Sequence, residues 1–190
     1  MNAAQLDLLT PAAPALPPGI DLRCADVAAV LADAQDVALV HADPPWSYER
    51  DAGGANPANH YAVLDYAGIV DHLERAYDAA APGARLVLWT TWPLLYEWRE
   101  ASRGMRWRYV TGGAWTKTGS LGVGYHWRGH SEPILIYRRP GAPAYRAQGA
   151  GLRNAYTSAR TRHSEKPAGW LEWILRTWLP PGGQVLDLYA

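Results

Sequence analysis

Four consecutive residues, Asp43-Pro44-Pro45-Trp46, combine the groups needed to hold a flat amine. The Asp43 carboxylate and the Pro44 carbonyl can each accept a hydrogen bond from an exocyclic NH2 group. Proline restricts the backbone, so both acceptors keep their direction, and Trp46 offers a ring face on which a base can stack. The stretch is suited to methyl transfer onto a nucleobase amino nitrogen. Asp-Pro-Pro is also a common strand-ending turn, and an aromatic residue after it often belongs to the core.

The composition is that of one folded domain with a sizeable core. The chain has 190 residues, of which 48% are hydrophobic, and this size suits one domain. The single cysteine, Cys24, excludes an internal disulfide and a cysteine-cluster metal site. No apolar run approaches the roughly 18 residues of a membrane span, and no signal peptide is recognisable. We therefore expect a cytoplasmic protein without a membrane partner.

Charge is distributed unevenly along the chain. Residues 1–95 carry 12 acidic and 4 basic side chains, a net charge of −8, whereas residues 96–190 carry 6 acidic and 14 basic ones, a net charge of +8. Arginine (16) greatly outnumbers lysine (2), as in proteins of GC-rich genomes. The arginines fall into clusters that can lie along a phosphate backbone or form a solvated surface. These are Arg99, Arg103, Arg106, Arg108, Arg138, Arg139, Arg153, Arg160 and Arg162.

Hydrophobic periodicity predicts an α/β domain over residues 19–190, preceded by a flexible leader over 1–18. The predicted helices are 25–34, 65–80, 93–103 and 168–179, and the predicted strands are 37–42, 85–90, 107–115, 133–137 and 184–188. Residues 47–60 are expected to form a mobile loop, and 139–163 an irregular stretch. Alternating strands and helices predict a mostly parallel sheet with helices on both faces. Ligands of such sheets bind at the carboxyl ends of strands, where Asp43 falls.

Several short motifs together resemble the MT-A family of adenine-N6 methyltransferases. Each motif is weak alone, but their order and spacing over residues 20–190 are specific. They are Asp21-Leu22-Arg23, Asp43-Pro44-Pro45-Trp46, His60-Tyr61, Leu88-Trp89-Thr90, Trp115-Thr116-Lys117, Gly124-Tyr125-His126-Trp127 leading to Glu132, and His163-Ser164-Glu165-Lys166-Pro167.

The resemblance implies a fold and a methyl donor. The fold would be a Rossmann-like class I methyltransferase sheet with circularly permuted strand order, and the donor would be S-adenosylmethionine. Relatives continue beyond residues 187–190 into a glycine-containing turn that completes the ribose and methionine contacts. By that comparison the domain is expected to be C-terminally truncated, to be a degenerate member, or to have its site completed by a partner subunit.

The resemblance also implies the residues that bind the cofactor. Asp21 and Leu22 match the positions that hold the adenine edge of the donor. Asp43 would touch both the methionine amino group and the target base. Lys166 matches a lysine near the cofactor, where it could pair with the methionine carboxylate or a nearby phosphate. An exposed lysine beside a helix-starting proline is the plainer interpretation of that position.

Residues around the acceptor base follow from the same matches. Tyr61 could close over the base, Trp115 could line the pocket or belong to the core, and Glu132 could be a buried acceptor or surface. The residues expected to act at the reacting amine are Asp43, Pro44, Pro45, Trp46 and Tyr61. The residues expected to bind the nucleic-acid substrate are Trp46, Tyr61, Trp115, Glu132, Arg160 and Arg162.

The chemistry expected of these groups is positioning rather than covalent catalysis. No metal is required by this chemistry, and we expect none. The substrate would be a flipped-out or single-stranded adenine, with DNA favoured over RNA and RNA possible. Two alternatives stay open. One is a non-catalytic nucleic-acid-binding subunit with an incomplete cofactor site, and the other is methylation of cytosine N4 or a glutamine amide, which Trp46 disfavours.

Overall fold

The computed structural model describes residues 25–48, 62–119, 128–146, 153–159 and 165–189. They form a six-stranded sheet with helices on both faces. The strands are β1 (Val37–Ala42), β2 (Ala80–Trp89), β3 (Arg108–Thr118), β4 (Ser131–Arg138), β5 (Ala155–Ala159) and β6 (Gln184–Asp187). The helices are α1 (Val27–Asp33), α2 (Tyr66–Ala79), α3 (Leu95–Ala101), which is flanked by short 3-10 turns, and α4 (Ala168–Trp178). The expected leader, 1–18, lies outside the described residues.

The strand order is β5-β3-β4-β2-β1-β6. β1 lies between β2 and β6 and is parallel to both, and β5 is parallel to β3. β4 is antiparallel to β2 and to β3. The sheet is thus mixed. Asp43 follows β1, at the carboxyl end of the parallel half of the sheet. The sequence predicts a mostly parallel sheet. Among the described strands, three of the five pairings are parallel and two are antiparallel, so parallel pairings are a small majority.

Local sequence explains the main elements. β1 is apolar and buried on both faces, as expected of a strand with parallel neighbours. The α2 helix begins at the N-cap Asp65, whose side chain accepts a hydrogen bond from the Gly68 N–H at 2.8 Å, a typical capping contact. Its buried face is formed by Ile69, Leu73 and Ala76, which recur at helical spacing.

The junction of α2 and β2 differs from the prediction that Pro82-Gly83 separates the two elements. β2 begins at Ala80, directly after the helix, and contains the proline and glycine. Its pairing with β1 jumps from Val37↔Ala80 to Leu39↔Arg85, so the extra residues form a bulge. Gly83 has φ 83° and donates its N–H to the Arg139 carbonyl at 3.1 Å, a conformation that favours glycine.

A second difference is the strand β5, because residues 139–163 were predicted to be irregular. β5 is a short edge strand whose residues are exposed or half-buried. Its pairing with β3, from Ala114↔Ala155 to Thr118↔Ala159, supplies the backbone hydrogen bonds. Polar edge strands carry little hydrophobic periodicity, which explains why the sequence pattern did not reveal it.

Two hydrophobic cores lie on opposite faces of the sheet. The core beneath α1, α2 and α3 consists mainly of aliphatic residues with Trp46 and Trp98. The core beneath α4 is built around Trp89, Trp115 and Trp170, with ring contacts of 6.1 Å and 5.1 Å between centroids. These contacts are edge-to-face, the arrangement that aromatic pairs favour. The α4 core extends to the edge at which β1 ends, so it forms the floor of the candidate site.

Candidate functional site

The backbone after β1 is held in a fixed shape by its prolines and by three hydrogen bonds. The Trp46 N–H donates to the Pro44 carbonyl at 2.8 Å, and the Leu64 N–H donates to the Pro45 carbonyl at 2.9 Å. The Ser47 N–H returns a bond to the Leu64 carbonyl at 3.3 Å. A carbonyl has two lone pairs, so the Pro44 oxygen retains one for a ligand. The Pro44 carbonyl thus has half its hydrogen-bonding capacity already used, and its role as an acceptor for an amine stays a prediction.

Four charged side chains meet at the carboxyl end of β1. We call them the lysine–carboxylate network; they are Asp43, Lys117, Glu132 and Lys166. The Lys166 Nζ lies 2.5 Å from Asp43 Oδ2 and 3.4 Å from Glu132 Oε2. The Lys117 Nζ donates to Glu132 Oε1. The four residues come from the end of β1, from β3, from β4 and from the turn before α4. Two positive and two negative charges alternate, so the network is balanced.

Burial makes these charges interact strongly. The exposed fractions of the side chains are 31% for Asp43, 12% for Lys166, 20% for Glu132 and 17% for Lys117. Burial raises the pKa of the Asp43 carboxyl, and the charge and hydrogen bond of Lys166 oppose that rise, because an adjacent cation favours the ionised carboxylate. Lys166 therefore favours the ionised form of a carboxylate that is partly shielded from water.

Both lysines of the chain belong to this network, although arginines number 16. A lysine ammonium is a compact charge with three donors, whereas a guanidinium is a broad planar fork. The two small cations fit between the carboxylates, and Lys166 also lies 5.0 Å from the centroid of the Trp89 ring. That distance allows an attractive cation–π interaction. The small size of the ammonium therefore suits lysine to this position, and the ring contact adds to the attraction.

Trp89 connects the network to the interior of the sheet. Its ring is fully buried, and its Nε1–H donates to His41 Nε2 at 2.8 Å. Since Nε2 accepts, the proton of the neutral imidazole is on Nδ1, which donates to Asp187 Oδ2 at 2.8 Å. The chain of contacts joins β6, β1 and β2 below Lys166, and it fixes the aromatic surface on which the ammonium rests.

The Trp46 ring does not lie where we predicted. We expected one of its faces to be open so that a base could stack on it. The side chain is 5% exposed, its Nε1–H donates to the Trp89 carbonyl at 3.2 Å, and its ring contacts Trp98 edge-to-face at 5.4 Å. The bridge between Trp46 and Leu64 turns the chain so that the ring enters the core beneath α2 and α3. Neither face is open to a ligand, which corrects the expected role of this ring.

The other predicted residues divide into three groups. Glu132 and Lys166 join Asp43, as described. Trp115 is 1% exposed and donates its Nε1–H to Ser158 Oγ at 2.9 Å. Of the two expected placements, pocket lining or core, this is the core. The remaining predicted residues lie outside the described part of the chain and stay predictions. They are Asp21, Leu22, Tyr61, Arg160 and Arg162.

Sequence reasoning gave no role to Lys117, His41 or Asp187. Lys117 stood inside the quoted Trp-Thr-Lys motif, and its rarity among many arginines was an available signal. His41 lies in an otherwise apolar strand, where a polar residue requires a buried partner. Nothing near Asp187 in the sequence indicates that it would be that partner, because the contact joins distant segments.

The described residues contain neither a candidate metal centre nor a membrane-spanning helix. In these ranges no group of three or more His, Cys, Asp or Glu side chains is placed to hold a metal ion. Within the same residues, no helix has the length and apolar character required to cross a membrane.

Comparisons with known proteins establish the fold. No family model and no curated relative matches the chain. The crystal structure of the M1.HpyAVI complex with S-adenosylmethionine superimposes with a TM-score of 0.64 at 14% identity, covering 87% of this chain and 79% of that one. TTHA0409 of Thermus thermophilus, assigned as a DNA modification methylase, gives 0.60 at 21% identity, with 87% and 77% covered. The predicted Rossmann-like class I methyltransferase fold is confirmed.

Proposed function

We propose that this chain is an S-adenosylmethionine-dependent methyltransferase that acts on the N6 amino group of adenine in nucleic acid, with DNA favoured over RNA. The observation that carries the proposal is the Asp43 carboxylate. It stands at the carboxyl end of a central parallel strand, is directed by two prolines, and binds an ammonium 2.5 Å away. A carboxylate in that setting is an amine-binding group at the edge where such folds bind ligands.

The residues present fit the cofactor. The Lys166 ammonium on Asp43 is the same kind of group as the amino group of the donor's methionine portion. Asp43 would bind that amine, and Lys166, displaced from Asp43, would pair with the methionine carboxylate. When bound, S-adenosylmethionine supplies a methyl group activated by a sulfonium charge. The fold neighbours include complexes of M1.HpyAVI and TTHA0409 with this molecule, which supports the choice.

The chain's own groups act on the acceptor amine. An adenine N6 lone pair is delocalised into the ring, so the nitrogen is a weak nucleophile. Hydrogen bonds from its NH2 group to Asp43 and to the free lone pair of the Pro44 carbonyl favour a pyramidal nitrogen. Both acceptors are held before the base arrives, and burial of Asp43 strengthens its electrostatic effect. Positioning and electrostatics therefore suffice without a covalent intermediate.

DNA is favoured because TTHA0409, a fold neighbour, is assigned as a DNA modification methylase. An adenine within a duplex would have to leave the stack to reach Asp43. Since Trp46 is in the core, the stacking partner in the site has to come from another residue, and Tyr61 is the candidate that the family resemblance supplies.

A second candidate, a non-catalytic nucleic-acid-binding subunit, is favoured by one observation. The Asp43 carboxylate is already satisfied by Lys166, so an amine must compete with a resident cation. In a subunit that never binds the donor, the same ion pair would serve only to stabilise this edge of the fold.

The test is binding followed by product analysis. We expect calorimetric titration of S-adenosylmethionine into the protein to give micromolar affinity. Incubation with methyl-labelled donor and a DNA oligonucleotide should then yield N6-methyladenine on nucleoside mass spectrometry. An adenine-free strand is the control for the base, and an RNA strand of the same sequence compares the two nucleic acids. Binding of nucleic acid without any binding of the donor would instead establish the non-catalytic subunit.

A further inference from the structure

Three arginines form a row across the sheet, near the end of β2 that lies away from Asp43. Arg85 of β2 is paired in register with Arg138 of β4, and Arg138 with Arg108 of β3. Directly opposed residues project from the same face of a sheet. The Arg85 guanidinium lies 4.9 Å from the centroid of the Trp178 ring at the end of α4, so this face is the α4 face. With strands about 4.8 Å apart, the row spans about 10 Å.

Among the described residues, this arginine row lacks an acidic counterpart. In the part of the chain that the structure describes, none of Arg85, Arg108 and Arg138 has a carboxylate within salt-bridge distance. The Arg85 Nε is moreover buried and has no hydrogen-bond partner among the described residues. Like charges directly opposed across strands repel each other, and a buried N–H without a partner costs folding free energy. The row is therefore unfavourable until an anion joins it.

Burial and neighbouring charges act on Arg85 in the same direction. Burial lowers the pKa of its guanidinium, and the charges of Arg138 and Arg146 lower it further. A nearby arginine shows the opposite situation. Arg106 lies 2.6 Å from carboxylate oxygens of both Glu74 and Asp78, and these bonds raise its pKa. The chain thus neutralises Arg106 internally and leaves the row to a ligand.

We propose that the arginine row, Arg85, Arg108 and Arg138, is a binding site for the phosphodiester backbone of a nucleic acid. Guanidinium groups bind phosphate through two parallel hydrogen bonds. Arg108 and Arg138 are exposed and can receive it, while the half-buried Arg85 adds its positive charge at the inner end.

The geometry of the row suits a strand that also reaches the reactive edge. About 10 Å corresponds to roughly three nucleotides at 3.4 Å per nucleotide. Trp89, which lies below Lys166, comes four residues after Arg85 in β2, and that distance along a strand is about 13 Å. The row therefore binds the backbone flanking the acceptor base rather than the base itself. Only the choice of nucleic acid as the source of phosphate rests on the proposed function.

Fluorescence anisotropy with a labelled single-stranded DNA, measured over a range of NaCl concentrations, tests the site. The variant R108Q/R138Q leaves the half-buried Arg85 untouched. Each lost phosphate contact reduces the slope of log K against log salt by about 0.7, so we expect the slope to fall by about 1.4. The matched control is R75Q/R176Q, which removes the same charge from arginines paired with Asp71 and Glu172 and should leave the slope unchanged.

The possible results separate the proposals. An equal fall in the control, or an unchanged slope in R108Q/R138Q without any stabilisation by phosphate, would overturn the site. Thermal unfolding in inorganic phosphate and in chloride of equal ionic strength identifies the source. Stabilisation by phosphate that the variant loses, together with an unchanged slope, would overturn nucleic acid as the ligand. The measurement needs no methyl transfer, so a protein that fails to methylate DNA yet shows the slope change refutes the catalytic proposal alone.

Discussion

The lysine–carboxylate network and the arginine row differ in how their charges are compensated. In the network, each cation of Lys117 and Lys166 contacts a carboxylate. In the row, three cations face one another without an acid among the described residues. A compensated network is stable without a ligand, and a ligand must compete with its ion pairs. An uncompensated row gains from any suitable anion, so the two regions should respond in opposite ways to loss of charge.

The comparison also separates lysine from arginine. The network uses a compact ammonium that fits between carboxylates and above the Trp89 ring. The row uses guanidinium groups, which present several donors in a plane and stay protonated even where burial lowers the pKa. The sites thus require different cations although both lie on one sheet.

The largest effect is expected from removing Asp43. Asp43→Ala deletes the acceptor of the amine, and we expect kcat/KM for methyl transfer to fall by about 100- to 1,000-fold or more, with circular dichroism showing a folded protein. Asp71→Ala is the matched control, because that carboxylate pairs with Arg75 on an exposed helix face and should have no effect. A variant within a few-fold of the parent enzyme would contradict the amine-binding role.

A smaller effect, with a defined pH dependence, is expected from Lys166→Met. Burial already raises the pKa of Asp43 and Lys166 opposes that rise, so removing the ammonium raises the pKa further. The ionised carboxylate is the active form. The fall in rate on acidification should therefore begin at a higher pH in the variant than in the parent enzyme. We expect kcat/KM to fall on the order of tenfold on the acidic side of the profile and to recover partly at alkaline pH.

The control for this pH profile is Lys166→Arg, which keeps a positive charge beside Asp43. Its acidic limb should stay closer to that of the parent enzyme. An acidic limb that does not move in Lys166→Met would show that Asp43 does not depend on Lys166 for its ionised form.

The smallest effect distinguishes the row from the network most directly. Arg138→Glu places a carboxylate between Arg85 and Arg108, which should stabilise the fold by about 0.2–1 kcal/mol and by less at high salt. The same change at Arg176 loses a pair with Glu172 and should destabilise it slightly. Urea unfolding at two salt concentrations measures both. A lower unfolding free energy in Arg138→Glu would contradict the idea that the row is unfavourable without a ligand.

Several elements could be predicted because their signals are local. The expected strand 37–42 coincides with β1, and the expected helix 168–179 differs from α4 by one residue. Apolar runs, helical spacing and proline or glycine stops depend only on neighbouring residues. The strand β5 and the bulge in β2 could not be predicted in this way, because partners distant in sequence supply their hydrogen bonds.

The candidate site shows the same division. Asp43, Glu132 and Lys166 were expected near the reacting groups and lie together. Lys117 was not assigned a role, and the Trp46 ring was expected in the site but lies in the core. Residue type indicates what a side chain can do. It does not indicate which way the ring turns after a proline, since packing against Trp98 and Leu64 decides that.

The sequence by itself determined that an acceptor-bearing, proline-restrained turn follows a buried strand, because these features depend on adjacent residues. It also determined the class of fold through alternating periodicities. Only the tertiary structure decided that both lysines meet two carboxylates above Trp89, and that three arginines align across β2, β4 and β3. Those arrangements depend on strand order and register, and register is a property of the assembled sheet rather than of any one segment.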